Sequence, residues 1–265
     1  MVARRPSPVA CRLPPAAAER RGRGLTPPPT RLADGRRSCR GLGRKRVRVA
    51  HGMLRVHGKA AAMDSNPSEL MDRLAIRELI ENWVVWRDAG DWERFATVWH
   101  DDGVMMATWF QGPAAEFIRV TKEGWARGVS ILHFLGGSSI EVAGDRAIAQ
   151  TKMTISQRGD VHGVACDVVC TGRFYDFLER RQQRWGLVLR QPIYEKDRID
   201  PVDPAARLAL DASQLAALPR GYRHLAYIQL QIGYTVKRDM PQLTGPEVDQ
   251  LYERGRTWLA GGGLG

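Results

Sequence analysis

Residues 68–91 of this 265-residue chain are SELMDRLAIRELIENWVVWRDAGD, and the spacing of their apolar side chains is the first indication of the fold. Ile76, Ile80 and Val84 are spaced four apart, so they share one face of an amphipathic helix. Asp88 continues the same row and is carried towards the interior with it. Because an unpaired carboxylate is costly to bury, the pattern predicts that Asp88 has a polar partner there.

The segments that follow predict two more helices and then a sheet. Asp91 is placed to cap a short helix that runs to Trp99, residues 104–110 form a strand, and a third helix extends from Gly112-Pro113 to about Arg127. Four strand-like runs come next, at residues 131–142, 146–157, 164–178 and 184–194. Their short polar separators predict antiparallel hairpins. We therefore expect an α+β fold, in which a curved antiparallel sheet wraps around the N-terminal helices as a cone with a pocket inside.

The residues after the last strand predict a helical extension. Asp200-Pro201-Val202-Asp203-Pro204 breaks the sheet, and helices are expected at residues 205–218, 221–235 and 246–260. The chain then divides into a tail at residues 1–62, a cone domain at 63–196, and an extension at 197–265 that packs on the cone.

The basic residues of the chain are concentrated in the tail. The net charge is +11 overall, +14 over residues 1–62 and −3 over residues 63–265. The tail is rich in Arg, Pro, Gly and Ala and lacks regularly spaced large apolar residues. It therefore buries too little apolar surface to offset the entropy lost when the chain becomes ordered. We therefore expect it to be disordered.

Three explanations stay open for the tail. Runs such as Arg44-Lys45-Arg46 suit an arm that binds nucleic acid or a membrane surface, and the low acid content suits an organelle targeting peptide. The segment can also be upstream sequence added by a wrongly chosen start codon. We favour this last explanation, with Met53 or Met63 as the first residue. Because the basic runs lack interleaved aromatic side chains that could stack on bases, we expect no nucleic-acid partner.

The remainder of the chain, about 200 residues, is long enough for one domain with its own core. No apolar run approaches the roughly 20 residues that cross a bilayer, so we expect a soluble, cytoplasmic protein with no membrane partner. Cys166 and Cys170 are four apart in a strand-like run, which is too far for a disulfide in a straight strand. We expect both to be small core residues.

The strand runs also predict which polar side chains face the pocket. Alternation along the strand that begins at Ile131 puts His133 on the inward face, which makes it the best candidate partner for Asp88. Gly136-Gly137 then permits a bulge or a sharp bend. Asp167 and Arg173 share one face of the third run and are further candidates for the pocket.

Aromatic and polar residues supply candidates for substrate binding. Six of the eight Trp residues fall in the helical half, and two polar side chains lie near the end of the last strand. The Trp cluster can instead be core packing, and the polar residues of the last strand can instead form ion pairs at the sheet edge. The substrate-binding candidates are Trp83, Trp109, Tyr175, Arg190 and Tyr194.

Several strings of this sequence resemble SnoaL-like domains of the nuclear transport factor 2 superfamily. The resemblance covers residues 69 to about 196 and implies the cone fold, known as NTF2-like. The strings are DRLAIREL at 72–79, RDAGDWERF at 87–95, VWHDDG at 98–103, GP at 112–113, LHFLG at 132–136, GRFYD at 172–176 and Trp185.

Within that superfamily, the pattern is most similar to the scytalone dehydratase and hexachlorocyclohexane dehydrochlorinase group. Those enzymes carry an Asp at the end of the first helix and a His on the strand after the third helix, and these positions match Asp88 and His133. Arg190 falls close to a position where the dehydrochlorinases carry a polar or basic pocket residue. The resemblance also implies a homodimer or a homotrimer.

A dyad of this kind has a plain chemical logic. A carboxylate that accepts a hydrogen bond from one imidazole nitrogen fixes the tautomer and leaves the other nitrogen as a base, and it should raise the pKa of His133. His133 would remove a proton beside a carbonyl or a leaving group, and Arg190, Tyr194 or Tyr175 would stabilise the developing negative charge. We expect a dehydratase-like lyase or isomerase that acts on a small apolar or aromatic molecule without a cofactor.

One alternative accompanies this hypothesis. Asp88 can instead cap the Ala89-Gly90 turn while His133 is a core histidine. The protein is then a non-catalytic module of the same fold that binds a small ligand or forms oligomers.

No metal is expected, since His100-Asp101-Asp102 are adjacent in a turn and are better suited to capping than to metal binding.

Overall fold

The computed structural model describes residues 66–264. The expectations about residues 1–62, including the choice between Met53 and Met63, lie outside the described residues. The elements in chain order are α1 (Pro67–Ala89), α2 (Trp92–Thr97), β1 (Trp99–Met106), β2 (Gln111–Pro113), α3 (Ala114–Ala126), β3 (Ser130–Ala143), β4 (Arg146–Val161), β5 (Val164–Arg181), β6 (Arg184–Pro201), α4 (Ala212–Ala216), a 3-10 helix (Arg220–Tyr222), α5 (Arg223–Gln231) and α6 (Pro246–Leu259).

The predicted first helix is confirmed, and its ends follow from local sequence. The side chain of Asn66 accepts a hydrogen bond from the N–H of Ser68 at 3.2 Å. Gly90 ends α1 with a φ of 73°, a left-handed conformation that glycine adopts without strain. Asp91 then caps α2, as predicted, by accepting a hydrogen bond from the N–H of Arg94 at 3.3 Å.

The six strands of the described chain form one curved sheet in the order β2-β1-β6-β5-β4-β3. β3 to β6 are antiparallel neighbours, as predicted, whereas β1 pairs with β6 in the parallel direction. The α+β class and the NTF2-like arrangement are confirmed. Within residues 66–264 the sheet is open, with β2 and β3 at its edges.

Several strand boundaries differ from the prediction, and β6 runs to Pro201, past the expected strand end at residue 194 and the expected domain boundary at residue 196. β1 begins at Trp99 rather than at Val104, because Trp99 already pairs with Leu187 of β6. β4 continues through the expected separator, residues 158–160, and turns at His162-Gly163. Both turn residues have positive φ, 55° and 81°, which suits a two-residue hairpin between twisted strands.

The predicted irregularity in β3 is confirmed. The register between β3 and β4 shifts between Leu135 and Ser138, where Gly136-Gly137 lies. On either side of this bulge, inward and outward side chains alternate.

The inner face of the sheet and the helices share one apolar core. Ile76, Ile80 and Val84 of α1 are buried in it, as the four-residue spacing predicts. Cys166 and Cys170 are buried free thiols in the same core, also as predicted.

The C-terminal helices cover two different parts of the sheet. The first predicted helix, residues 205–218, is reduced to the single turn and a half of α4. α5 packs on β4, β5 and β6 and joins the inner core through Leu225 and Ile228. α6 packs on the outer face, where Val248, Leu251 and Trp258 form a second apolar cluster. Among the helices at residues 66–264, none has an apolar stretch that could span a bilayer.

Candidate active site

A cavity lies between the helices and the inner face of the sheet. It encloses about 450 Å³ of space between atoms, its open mouth included. A mostly apolar wall with a few polar groups is typical of sites for small molecules. The apolar lining consists of Trp83, Met105, Ala107, Trp109, Phe117, Ile131, Ile155, Phe174, Pro192 and Leu225, and the polar lining of Arg87, Thr108, His133, Gln157, Tyr194 and Gln229.

Asp88 and His133 are in direct contact at this wall. Nδ1 of His133 lies 2.9 Å from Oδ1 of Asp88, and the backbone N–H of His133 donates to Oδ2 at 2.6 Å. The side chains are 13% and 8% exposed. Because Nδ1 donates its hydrogen to the carboxylate, Nε2 is the unprotonated nitrogen of the neutral ring.

Arg87 completes the group, and the sequence analysis missed it. Its Nη1 donates to Oδ1 of Asp88 at 3.0 Å and to the carbonyl oxygen of Ile131 at 2.8 Å. Arg87 follows Trp83 by four residues and Ile80 by seven, so a search for a second buried row on α1 would have found it.

Burial and neighbouring charges shift the pKa values of this group. Burial alone would raise the pKa of Asp88, but the hydrogen bonds and charge of His133 and the charge of Arg87 outweigh it and lower that pKa. Burial lowers the pKa of His133, and the hydrogen bond and charge of Asp88 offset only part of this effect. The expected rise in the pKa of His133 is therefore wrong, because desolvation of the imidazolium exceeds its attraction to Asp88. A lowered pKa leaves His133 neutral at neutral pH and able to accept a proton.

A chain of hydrogen bonds crosses another part of the cavity wall. The hydroxyl of Thr108 donates to Oε1 of Gln229 at 2.7 Å, and Nε2 of Gln229 donates to Oε1 of Gln157 at 3.3 Å. All three side chains are buried. Sequence reasoning did not identify them, because they come from β4, α5 and the loop after β1 and meet only in the folded chain.

The structure brings three of the five substrate-binding candidates to the cavity. Trp83, Trp109 and Tyr194 line it together with His133. The Trp83 ring meets the His133 ring edge to face, with centroids 5.3 Å apart and an interplanar angle of 87°. Trp83 therefore restrains the orientation of the imidazole.

Arg190 is not part of the lining. It is fully buried and forms two hydrogen bonds with the equally buried Asp176, at 2.7 and 2.8 Å. The rings of Phe174 and Trp83 cover its guanidinium, with centroids 4.0 and 4.4 Å from Cζ. The expected pocket role is corrected, and so is the alternative of an edge ion pair, because Asp176 is the cross-strand partner of Arg190 on the inner face.

Tyr175 faces the other side of the sheet. Successive residues of a strand point to opposite faces, and Phe174 is the one that lines the cavity. The ring of Tyr175 packs under α6, with its centroid 5.5 Å from that of Tyr252. The prediction that Tyr175 contacts the substrate in this cavity is therefore corrected.

Asp167 and Arg173 lie on the same outer face as Tyr175. Asp167 pairs with Arg158 at 2.7 Å, and Arg173 pairs with Glu195 at 2.7 Å. In β5 the even-numbered residues around Phe174 point inward, so Asp167 and Arg173 point outward. Their predicted place in the pocket is therefore wrong.

His100-Asp101-Asp102 lies in β1, where the register shifts between Trp99 and Val104, rather than in the predicted turn, and protein contacts hold it. Nε2 of His100 lies 2.8 Å from the carbonyl oxygen of Glu179, and Asp102 pairs with Arg181 at 2.7 Å. In the part of the chain that the structure describes, no group of three or more His, Cys, Asp or Glu side chains is arranged to hold a metal ion.

The sequence is similar to a known domain and to fungal proteins. A family model described as a SnoaL-like domain matches residues 68–191. A PEP2-like protein of Fusarium vanettenii is 36% identical over 214 residues, which cover 76% of this chain and 92% of that protein. Pea pathogenicity protein 2 of the same fungus is 37% identical over 215 residues, with the same two coverages of 76% and 92%.

The chain is also similar to proteins of known structure. A proposed scytalone dehydratase of Novosphingobium aromaticivorans is 15% identical and has a TM-score of 0.43, over 54% of this chain and 98% of that one. A type 2 hexachlorocyclohexane dehydrochlorinase, LinA, is 14% identical and has a TM-score of 0.43, over 54% of this chain and 96% of that one.

Proposed function

The chain belongs to the SnoaL-like domain family, and we propose that it acts as a dehydratase-like lyase or isomerase on a small apolar or aromatic molecule. His133 is the proposed base and Asp88 the residue that orients it. The observation that carries this proposal is the contact of 2.9 Å between Nδ1 of His133 and Asp88 in the wall of an apolar cavity. It leaves Nε2 free to accept a proton.

In the proposed reaction, Nε2 takes a proton from a carbon beside a carbonyl, or beside a carbon that bears a hydroxyl or halide. The C–H bond breaks, an N–H bond forms, and the electron pair moves to the carbonyl oxygen or into a new double bond as the leaving group departs. The imidazolium returns the proton to another carbon, to departing hydroxide as water, or to solvent after halide loss. Asp88 stabilises the imidazolium meanwhile.

The test uses deuterium. The full chain is incubated in D₂O with β-hydroxy ketones, cyclic enones and small ketones, and exchange or elimination is followed by NMR. His133→Gln and Asp88→Asn should each lower the rate by about 10²- to 10⁴-fold, the usual contribution of a positioned base.

The chain contains a matched control for these variants. His224 donates its backbone N–H to Asp197 at 2.6 Å, and its Nδ1 lies 2.9 Å from the same carboxylate. This pair repeats the geometry of the proposed dyad, but neither residue lines the cavity. His224→Gln should leave the rate unchanged. Equal losses in both histidine variants would contradict the proposal, and compounds that bind without any exchange would favour the non-catalytic binding module.

We also propose that the protein forms a homodimer or a homotrimer. Leu132 and Phe134 are 49% and 65% exposed on β3, an edge strand of the sheet. Neighbouring exposed apolar side chains suit contact with a second copy. Light scattering of the full chain should give twice or three times the monomer mass, and Phe134→Lys should lower it; a wild-type monomer contradicts the proposal.

A further inference from the structure

The cavity wall is rich in hydrogen-bond donors that have no acceptor. Three buried N–H groups of lining residues lack a partner among residues 66–264: Nε1 of Trp83, Nε of Arg87 and Nε2 of Gln157. A buried donor without an acceptor is unfavourable, and a bound molecule that supplied an oxygen would remove this penalty. The wall therefore suits a ligand that accepts hydrogen bonds.

Neighbouring side chains hold the amide group of Gln157 in place. Its Oε1 accepts from Nε2 of Gln229, whose own oxygen accepts from Thr108, so the oxygen of the Gln157 amide is held and its NH₂ group is left over. The side chain of Gln157 is 1% exposed. Holding the amide in place in advance reduces the entropy lost when it binds a ligand.

The register of the sheet relates Gln157 to His133. Ile131 of β3 opposes Gln157, and His133 opposes Ile155. His133 and Gln157 are therefore diagonal neighbours on one face, with Cα atoms about 7–8 Å apart. A small molecule can present a C–H group to one side chain and an oxygen to the other.

We propose that the cavity selects carbonyl compounds and that Nε2 of Gln157 donates a hydrogen bond to the carbonyl oxygen. This inference rests on the proposed function for the role of His133 and adds the substrate class and a specificity residue. When His133 removes the proton beside the carbonyl, the electron pair moves to the oxygen bound by Gln157. A donor at that point binds the enolate more strongly than the ketone and so speeds the proton transfer.

The test compares three probes of the same bicyclic shape: 1-indanone, indane and 1-aminoindane. Wild-type protein, titrated by calorimetry at neutral pH, should bind 1-indanone about five- to tenfold more tightly than indane, the share of one neutral hydrogen bond. Gln157→Met should remove this preference while its affinity for indane stays the same, which controls for damage to the cavity. Unfolding midpoints show whether the variant is folded.

A second variant keeps the test decisive. Gln157→Glu preserves the shape of the side chain but replaces the donor by an acceptor, so affinity for 1-indanone should fall and affinity for the 1-aminoindane cation should rise. Equal wild-type affinities for 1-indanone and indane, no affinity for 1-indanone, or a ketone preference that survives both substitutions would overturn the inference.

The same samples distinguish this inference from the proposed function. Deuterium exchange beside the carbonyl of 1-indanone reports on His133, whereas the ketone preference reports on Gln157. A ketone preference without exchange supports the assigned substrate class and contradicts the proposed enzymatic activity. Exchange without a ketone preference supports the enzymatic activity and contradicts the assigned substrate class.

Discussion

Arg87 and Asp88 are consecutive residues, and on a helix their side chains leave the axis about 100° apart. They meet nevertheless, because the long Arg87 side chain reaches both Oδ1 of Asp88 and the carbonyl oxygen of Ile131. His133 supplies two more donors to the same carboxylate. Asp88 therefore stays ionised although it is nearly buried.

The first prediction concerns the titration of His133. In Asp88→Asn the pKa of His133 should fall further below its usual value, because the neighbouring charge that favours the imidazolium is removed. Long-range ¹H–¹⁵N NMR of the imidazole rings, followed against pH in wild type and variant, measures this pKa. An unchanged His133 would show that the two groups are not coupled.

The second residue-scale prediction concerns the stability supplied by Arg87. Arg87→Met removes the partner of a nearly buried carboxylate and of the Ile131 carbonyl, and should lower the free energy of unfolding by about 3 kcal/mol. Arg77→Met on the same helix is the control, because Arg77 forms an exposed pair with Glu81 and should cost under about 1 kcal/mol. Urea denaturation measures the loss of unfolding free energy in both variants. Equal losses would contradict a special role for Arg87.

At the scale of elements, α5 and α6 have different relations to the cavity. α5 contributes Leu225 and Gln229 to the lining, so it is part of the site. α6 closes the outer face, where Gly255 lets the helix backbone approach Tyr175. A Cβ at position 255 would overlap the Tyr175 hydroxyl.

This close approach makes a prediction for α6. Alanine usually stabilises a helix relative to glycine, but Gly255→Ala should destabilise the protein by about 1–3 kcal/mol because the added methyl overpacks the interface. Tyr175→Phe removes the overlapping hydroxyl, so the double variant should regain part of the loss, although Cζ of the ring would still lie 2.9 Å from the added Cβ. A double-mutant cycle by thermal denaturation measures it. Additive effects would mean that the two residues do not meet.

The buried imidazole of His133 makes the stability of the whole protein depend on pH. The pKa of His133 is lowered by folding from its usual 6.5, so below about pH 6.5 the unfolded chain takes up a proton that the folded chain excludes. As far as His133 is concerned, stability is therefore greatest above that pH and declines as pH falls, until the folded protein also binds the proton. Asp88, whose pKa is also lowered, adds a similar loss only below its usual 3.8.

The prediction is a fall in the unfolding midpoint between pH 7.5 and pH 5. Within the window where only the unfolded chain is protonated at this site, each pH unit costs about 1.4 kcal/mol. His133→Gln lacks the group and should show a shallower slope, even if its midpoint at pH 7.5 is lower. Parallel slopes for wild type and variant would assign the pH dependence to other groups.

Much of the fold could be predicted from local sequence. The four-residue row of Ile76, Ile80 and Val84 identified α1, and Gly90 and Asp91 marked the boundary between two helices. Period-two alternation put His133 inside and so paired it with Asp88. These predictions worked because helix and strand geometry depend on residues close together in the chain.

Other features depended on contacts between distant segments. Local sequence did not distinguish the inward from the outward parity of β5, so Tyr175 was assigned to the wrong face; nor did it identify Asp176 as the partner of Arg190. The Thr108–Gln229–Gln157 chain joins residues up to 121 positions apart. Even the direction of the His133 pKa shift required the folded molecule, because it depends on how much water burial removes from the ring. Short-range geometry thus sets the order and type of the elements, whereas the register, the facing of each strand and the desolvation of each charge exist only once the segments have packed together.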